Sequence, residues 1–133
     1  MLELRREIER AKRTNRPLVL VFVDVDGLKS KNDSDGHLAG DKLLRQIVQT
    51  VRTHLRNYDL IVRFGGDEFL CAFLDVSTSE AIKRFEAVNV DLKEAAGASV
   101  SVGLAEMRSE DSLEDLIGRA DVALYKQRQR KVI

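Results

Sequence analysis

Arg63-Phe64-Gly65-Gly66-Asp67-Glu68-Phe69-Leu70 sets two glycines between strand-like runs and follows them with two carboxylates. Leu60-Ile61-Val62 before it and Phe69 to Leu74 after it are β-favourable, and a Gly-Gly pair adopts the positive φ angles that a two-residue hairpin turn demands. The stretch therefore predicts a hairpin with Asp67 and Glu68 at its tip. A turn without side chains also leaves room for a ligand. Taken alone, the same residues describe an ordinary hairpin with a solvated acidic tip equally well. Its chemistry depends on what the rest of the chain brings to it.

Upstream, Leu18 to Val23 is a continuous apolar run rich in valine, the pattern of a central strand covered on both faces. It stops at Asp24. In Asp24-Val25-Asp26 the carboxylates are two residues apart, so they share a face if the strand persists, where buried charge is costly. A hard divalent cation bound by oxygen ligands offsets that cost, and Mg²⁺ also suits phosphate substrates. The competing reading is that the aspartates end a strand and cap a helix.

Gly27 to Asp41 is polar and punctuated by glycine. Asp33-Ser34-Asp35-Gly36 mimics the middle of a calcium loop, but Lys31 and Lys42 would then take its first and twelfth ligand positions, the latter needing a bidentate Glu. A nucleotide pocket fits better. Asn32 offers a donor and an acceptor, and the Asp41 carboxylate suits the N1 and exocyclic amine donors of guanine. The alternative makes Asn32, Asp33 and Asp41 simple turn and cap residues.

The remaining segments read as packing elements. Leu2, Leu4, Ile8 and Ala11 lie at near-helical spacing before Asn15-Arg16-Pro17, and Leu43, Leu44, Ile47, Val48, Val51 and Leu55 follow a 3.6-residue period. Ser77 to Glu80 starts a further helix with Ala81, Ile82, Phe85 and Val88 on its apolar stripe. Ala98 to Leu104 alternates as a strand, and a last helix begins near Ser112 and ends in Arg128, Arg130 and Lys131. From Leu18 the order is strand, helix, hairpin, helix, strand, helix. It predicts an α/β (α+β) fold with a central antiparallel-containing sheet flanked by helices, ferredoxin-like or polymerase-palm-like, in which Asp24, Asp67 and Glu68 converge.

Composition bounds the function. The 133 residues, 44% hydrophobic and 33% charged, suit one domain that buries its own core. A formal net charge of zero argues against bulk electrostatic binding of nucleic acid. One cysteine and two histidines leave no internal disulfide and no basis for a structural zinc site. No segment resembles a signal peptide or a membrane span, so the cytoplasm is the expected location.

Several blocks in register carry a resemblance. Gly65 to Phe69, the block from Asp24 to Asp33 with Gly36-His37 and Gly40-Asp41, Ser99 to Gly103, and Ala120 to Tyr125 are similar to the landmarks of the GGDEF domains of bacterial diguanylate cyclases, a nucleotide-cyclase-like fold. The resemblance covers almost the whole chain. It implies condensation of two GTP molecules into cyclic di-GMP with loss of two pyrophosphates. It also implies that Asp24, the Val25 carbonyl, Asp67 and Glu68 hold Mg²⁺ or Mn²⁺, with Asp67 the group that helps remove the 3′-hydroxyl proton. Asn32 and Asp41 would read guanine, Lys29, the backbone around Leu28 and Arg128 would meet phosphates, and Gly65 and Gly66 would clear space for GTP. Each domain holds one GTP, so turnover needs a homodimer.

The family often carries an inhibitory product site, and Arg56 and Asp59 have its Arg-x-x-Asp spacing. The partner arginine expected on the next helix falls at Ala87, with Arg84 one turn earlier as a substitute. Other departures exist. The usual opening segment is absent before the first helix, which suggests either a single domain excised from a longer protein with an upstream sensor or a shortened variant. Arg128 replaces the customary lysine, and Val132 stands where a second cation is expected. An alternative function is therefore a catalytically inactive module that binds GTP or cyclic di-GMP and regulates a partner.

Overall fold

In the computed structural model, which describes residues 1–131, five helices surround a four-stranded sheet. The elements are α1 (Leu2–Arg13), β1 (Leu18–Val25), α2 (Leu28–Asp35), α3 (His37–Thr53), β2 (Leu60–Arg63), β3 (Glu68–Leu74), α4 (Thr78–Ala96), β4 (Val100–Glu106) and α5 (Leu113–Lys131). Strand order is β2-β3-β1-β4, and every neighbouring pair is antiparallel. Val132, the expected second cation position, lies outside the described residues. No helix among the described residues is long and apolar enough to cross a membrane.

The alternation of β1 and β3 builds two cores. Val19, Val21 and Val23, with Cys71 and Phe73, face Ile47 and Val51 of α3 and Phe85, Val88 and Leu92 of α4. On the other face Leu18, Leu20 and Phe22, with Leu70 and Ala72, meet Leu4 and Ile8 of α1 and Leu116, Ala120 and Leu124 of α5. All eight residues of β1 are buried. A strand covered on both faces has no polar side to place, which is why its apolar run is continuous.

Helix ends follow the sequence at two points. The Ser77 hydroxyl accepts from the Glu80 amide at the start of α4, and Ser112 and Asp115 cap α5 reciprocally, each side chain accepting the other's amide at 3.0 Å.

Four expectations are corrected. The hairpin does not turn on two left-handed glycines, because neither Gly65 nor Gly66 has a positive φ. Instead the Phe64 and Gly65 amides both donate to the Glu68 carbonyl in a longer loop, and Arg63 holds that loop through the Gly65 and Gly66 carbonyls at 3.1 and 2.9 Å. The polar segment from Gly27 is mostly helical. Gly27 (φ 72°) and Gly36 (φ 88°) set off α2 and start α3 six residues before the apolar period begins. Strand β1 also continues one residue past Asp24, and β4 lies two residues later than its alternation suggests.

Candidate active site

The antiparallel register delivers the acidic centre. Asp24 on β1 sits directly opposite Glu68 on β3 and opposite Ser101 on β4, and the Val25 amide donates to the Asp67 carbonyl at 2.9 Å. The two sequence blocks that carry the carboxylates are thus fastened backbone to backbone. Glu68 folds its carboxylate over Gly65, where a Cβ would lie 2.5 Å from Oε1. A side chain at 65 would have to push that flexible carboxylate aside, whereas a Cβ on Gly66 would meet nothing within 4 Å.

Burial and like charge act together here. Asp24 is 9% exposed, and desolvation, with the nearby Asp67 and Glu68 charges, pushes its pKa up to about 6 even though Arg128 opposes the shift. Glu68 is raised for the same reasons, with Asp121 of α5 adding to the repulsion. Asp24 Oδ1 is buried and has no hydrogen-bond partner, whereas Oδ2 lies 2.8 Å from Arg128 Nη1. An acceptor-only oxygen left in this state calls for a cation or a donor.

Arg128 arrives because α5 lies close against β4. A Cβ at Gly103 would fall 2.1 Å from the Ala120 carbonyl and 2.3 Å from the Leu124 amide, so only glycine lets the helix backbone come this near. Beside Asp24, the Asp26 carboxylate accepts from the Ser99 and Ser101 hydroxyls at 2.7 Å each.

Next to the acidic centre lies a cavity of about 270 Å³. It brings together Leu28, Lys29, Asn32 and Asp41 from α2 and α3 with Gly66 and Asp67 from the hairpin, and Gly40, Leu44 and Arg63 complete its walls. Asn32 reaches it across Gly40, and its Oδ1 is buried without a partner. All the residues expected to meet the base, together with Lys29 and Leu28, therefore share one wall system with the hairpin tip.

Arg56 and Asp59 stand apart. Asp59, whose side chain is fully buried, accepts from the Arg56 amide and guanidinium and from Arg84 Nη1 at 3.2 Å, and Arg56 also donates to the Leu74 carbonyl at 2.6 Å. Leu74 closes the far end of β3 from Glu68, about 20 Å along the strand. Arg84, one turn before Ala87, is the arginine of α4 that reaches Asp59. Periodicity missed Gly40, Arg63 and Asp121 as parts of the site, whereas Asp26, paired with Asp24 in the sequence, is held by the Ser99 and Ser101 hydroxyls.

The sequence matches the model of the diguanylate cyclase GGDEF domain family over residues 1–132. The chain belongs to the GGDEF domain family. Diguanylate cyclase DosC of Escherichia coli (strain K12) is 36% identical over 95% of this chain, and DgcP of Pseudomonas aeruginosa 33% over 92%. These alignments take in 29% and 20% of those proteins, so this GGDEF domain spans less than a third of the curated relatives it matches. Among solved structures, the GGDEF domain of DgcB from Caulobacter crescentus, in complex with c-di-GMP, superposes with a TM-score of 0.88 at 26% identity, covering 96% of this chain and 81% of that one. Diguanylate cyclase SiaD of Pseudomonas aeruginosa, solved with its activator SiaC, gives the same TM-score at 33% identity, covering 96% of this chain and 52% of its own. The sheet order, the acidic strand end and the hairpin tip described above are thus those of a GGDEF domain.

Proposed function

We propose that this GGDEF domain is an active diguanylate cyclase, which condenses two GTP molecules into cyclic di-GMP and releases two pyrophosphates in a reaction dependent on Mg²⁺ or Mn²⁺. The observation that carries the reading is the union of two distant sequence blocks in one site: Asn32 and Asp41 with Lys29 and Asp67 around the cavity, and Asp24 opposite Glu68 beside it. Asn32 and Asp41 bind the guanine edge, and Lys29 meets the phosphates. Asp67, at the tip, accepts the proton as a 3′-hydroxyl attacks the α-phosphate of the other nucleotide and pyrophosphate leaves.

The donor set suits a divalent cation carried by a nucleotide. Among the described residues no three His, Cys, Asp or Glu side chains form a metal-holding group. Mg²⁺ is commonly held by one or two carboxylates with substrate phosphates completing its shell, and the unpartnered Asp24 Oδ1 with Glu68 opposite and the Val25 carbonyl provides such a half-shell, with Asp67 adjacent. When bound, the cation neutralises phosphate charge during transfer. On this reading each domain holds one GTP, so the reaction requires two domains facing each other. At the far end of β3, Arg56 with Asp59 and Arg84 is the place where cyclic di-GMP binds as an inhibitor.

Chromatography of the products formed from GTP and Mg²⁺, at concentrations that favour dimers, tests the reading. Cyclic di-GMP is expected; its absence even from a fusion that enforces dimerisation contradicts cyclase activity.

A further inference from the structure

Arg128 leans from α5 onto both carboxylates at the end of β1. Its Nη1 lies 2.8 Å from Asp24 Oδ2 and its Nη2 3.5 Å from Asp26 Oδ1. Asp26 is itself fixed. Ser99 Oγ donates to one of its oxygens and Ser101 Oγ to the other, both at 2.7 Å, while its amide donates to the Ser99 carbonyl at 3.1 Å. The guanidinium therefore rests with one nitrogen on a carboxylate clamped by two hydroxyls and with the other on the buried carboxylate of Asp24. A planar fork of donors spans two carboxylates in this way; a lysine ammonium, a compact point charge, does not.

This contact has a consequence for any ion that binds Asp24. The guanidinium already neutralises that carboxylate through Oδ2, while Oδ1 is the oxygen left without a partner. A divalent cation and a guanidinium held within 3 Å of one carboxylate repel each other strongly in a half-buried site. A cation on Oδ1 and the guanidinium on Oδ2 would therefore each weaken the other's hold on Asp24. Arg128 is 43% exposed at its side chain, so it has room to swing outward, whereas Asp24 is 12% exposed and has none. The moving part is the arginine.

We propose that Arg128 is a resident counter-cation of Asp24, seated by the clamped Asp26, and that a divalent cation arriving at Asp24 Oδ1 displaces it from Oδ2. Asp26 is then a positioning residue: it parks the guanidinium at the edge of the site, from where the displaced group turns to the phosphates that arrive with the metal. Metal and nucleotide binding become coupled. The metal alone must expel a cation from its carboxylate, while a metal–nucleotide complex offers that cation a new anion. This inference rests on the reading of Asp24 as a metal-binding residue.

The test is Mn²⁺ binding, followed by loss of the free-ion electron paramagnetic resonance signal at pH 8, with the intact domain and no nucleotide. Arg128→Gln should bind Mn²⁺ roughly tenfold more tightly than wild type, the effect of removing about one screened unit charge. Arg128→Lys, which keeps the charge but loses the fork, should fall between them. With a non-hydrolysable GTP analogue present the order should reverse, because the variants lack the fork that grips the phosphates. Asp24→Asn, run in parallel, should abolish Mn²⁺ binding. If it does so but both Arg128 variants bind Mn²⁺ no more tightly than wild type, displacement is wrong while Asp24 remains a ligand. If Asp24→Asn binds Mn²⁺ undiminished, the displacement proposal and the metal reading fall together.

Discussion

Gly40 lies so close beneath Asn32 that a Cβ at that position would stand 1.6 Å from Asn32 Oδ1. The Asn32 carboxamide is thus placed in the cavity beside the hairpin tip by the absence of a side chain on the neighbouring helix. Alanine at 40 would displace it. The obstructing atom is the end of a flexible side chain, and alanine favours a helix by about 1 kcal/mol over glycine. Gly40→Ala should therefore keep its melting temperature within a few degrees of wild type and lose about tenfold in GTP affinity, measured by calorimetry with a non-hydrolysable analogue.

Gly103 presents the opposite case. The atoms a Cβ would strike there are the backbone of α5, which cannot step aside without moving the helix. Gly103→Ala should destabilise the domain by about 3 kcal/mol, read from urea unfolding. Any folded fraction should also lose the Arg128 contact with Asp24.

Asp24 makes stability depend on pH. At low pH the carboxyl holds its proton in the folded and the unfolded chain, and burial carries no penalty. As pH rises from the ordinary aspartate value of 3.8 towards about 6, the unfolded chain releases the proton and the folded chain retains it. Stability therefore declines across that window, by about 3 kcal/mol once both states are ionised. Asp24→Asn lacks this decline. In thermal melts with chelator present, the variant should be the more stable protein at pH 7 to 8, and the gap should close towards pH 4.

Arg56 supports Asp59 from one side and Arg84 from the other. Arg56→Ala leaves a fully buried carboxylate with one arginine and exposes the Leu74 carbonyl, at a cost of about 2 kcal/mol in urea unfolding. If the pair also binds product, the variant should show weaker inhibition by added cyclic di-GMP. Unchanged inhibition would confine Arg56 to a structural role.

Much of this was legible along the chain, and the boundary is physical. The continuous apolar run of β1 announced a strand covered on both faces, and Ser77 announced the start of α4, because both depend on residues near in sequence. The sequence shows the hairpin but not its turn: Gly65 lies under the Glu68 carboxylate and Arg63 clasps the carbonyls of 65 and 66, with no left-handed φ at either glycine. Helix α3 begins earlier than its apolar stripe, and Gly40 and Asp41 near its start line the cavity instead of the core. Contacts between distant segments were not legible. Nothing in periodicity indicates that Arg84 reaches Asp59, that Ser99 and Ser101 clamp Asp26, or that Arg128 settles on two aspartates more than 100 residues upstream.

The central claim is that Asp24, Asn32 and Asp67 belong to one GTP-condensing site although they come from separate blocks. The most direct measurement is the rate of cyclic di-GMP formation by a domain fused to a dimerising coiled coil, compared with Asp24→Asn, Asn32→Ala and Asp67→Asn in the same fusion. The wild-type fusion should form cyclic di-GMP from GTP and Mg²⁺, with each aspartate variant reduced at least about 100-fold and Asn32→Ala reduced mainly through its KM. A wild-type fusion that forms no cyclic di-GMP, or aspartate variants that form it at the wild-type rate, would contradict the account.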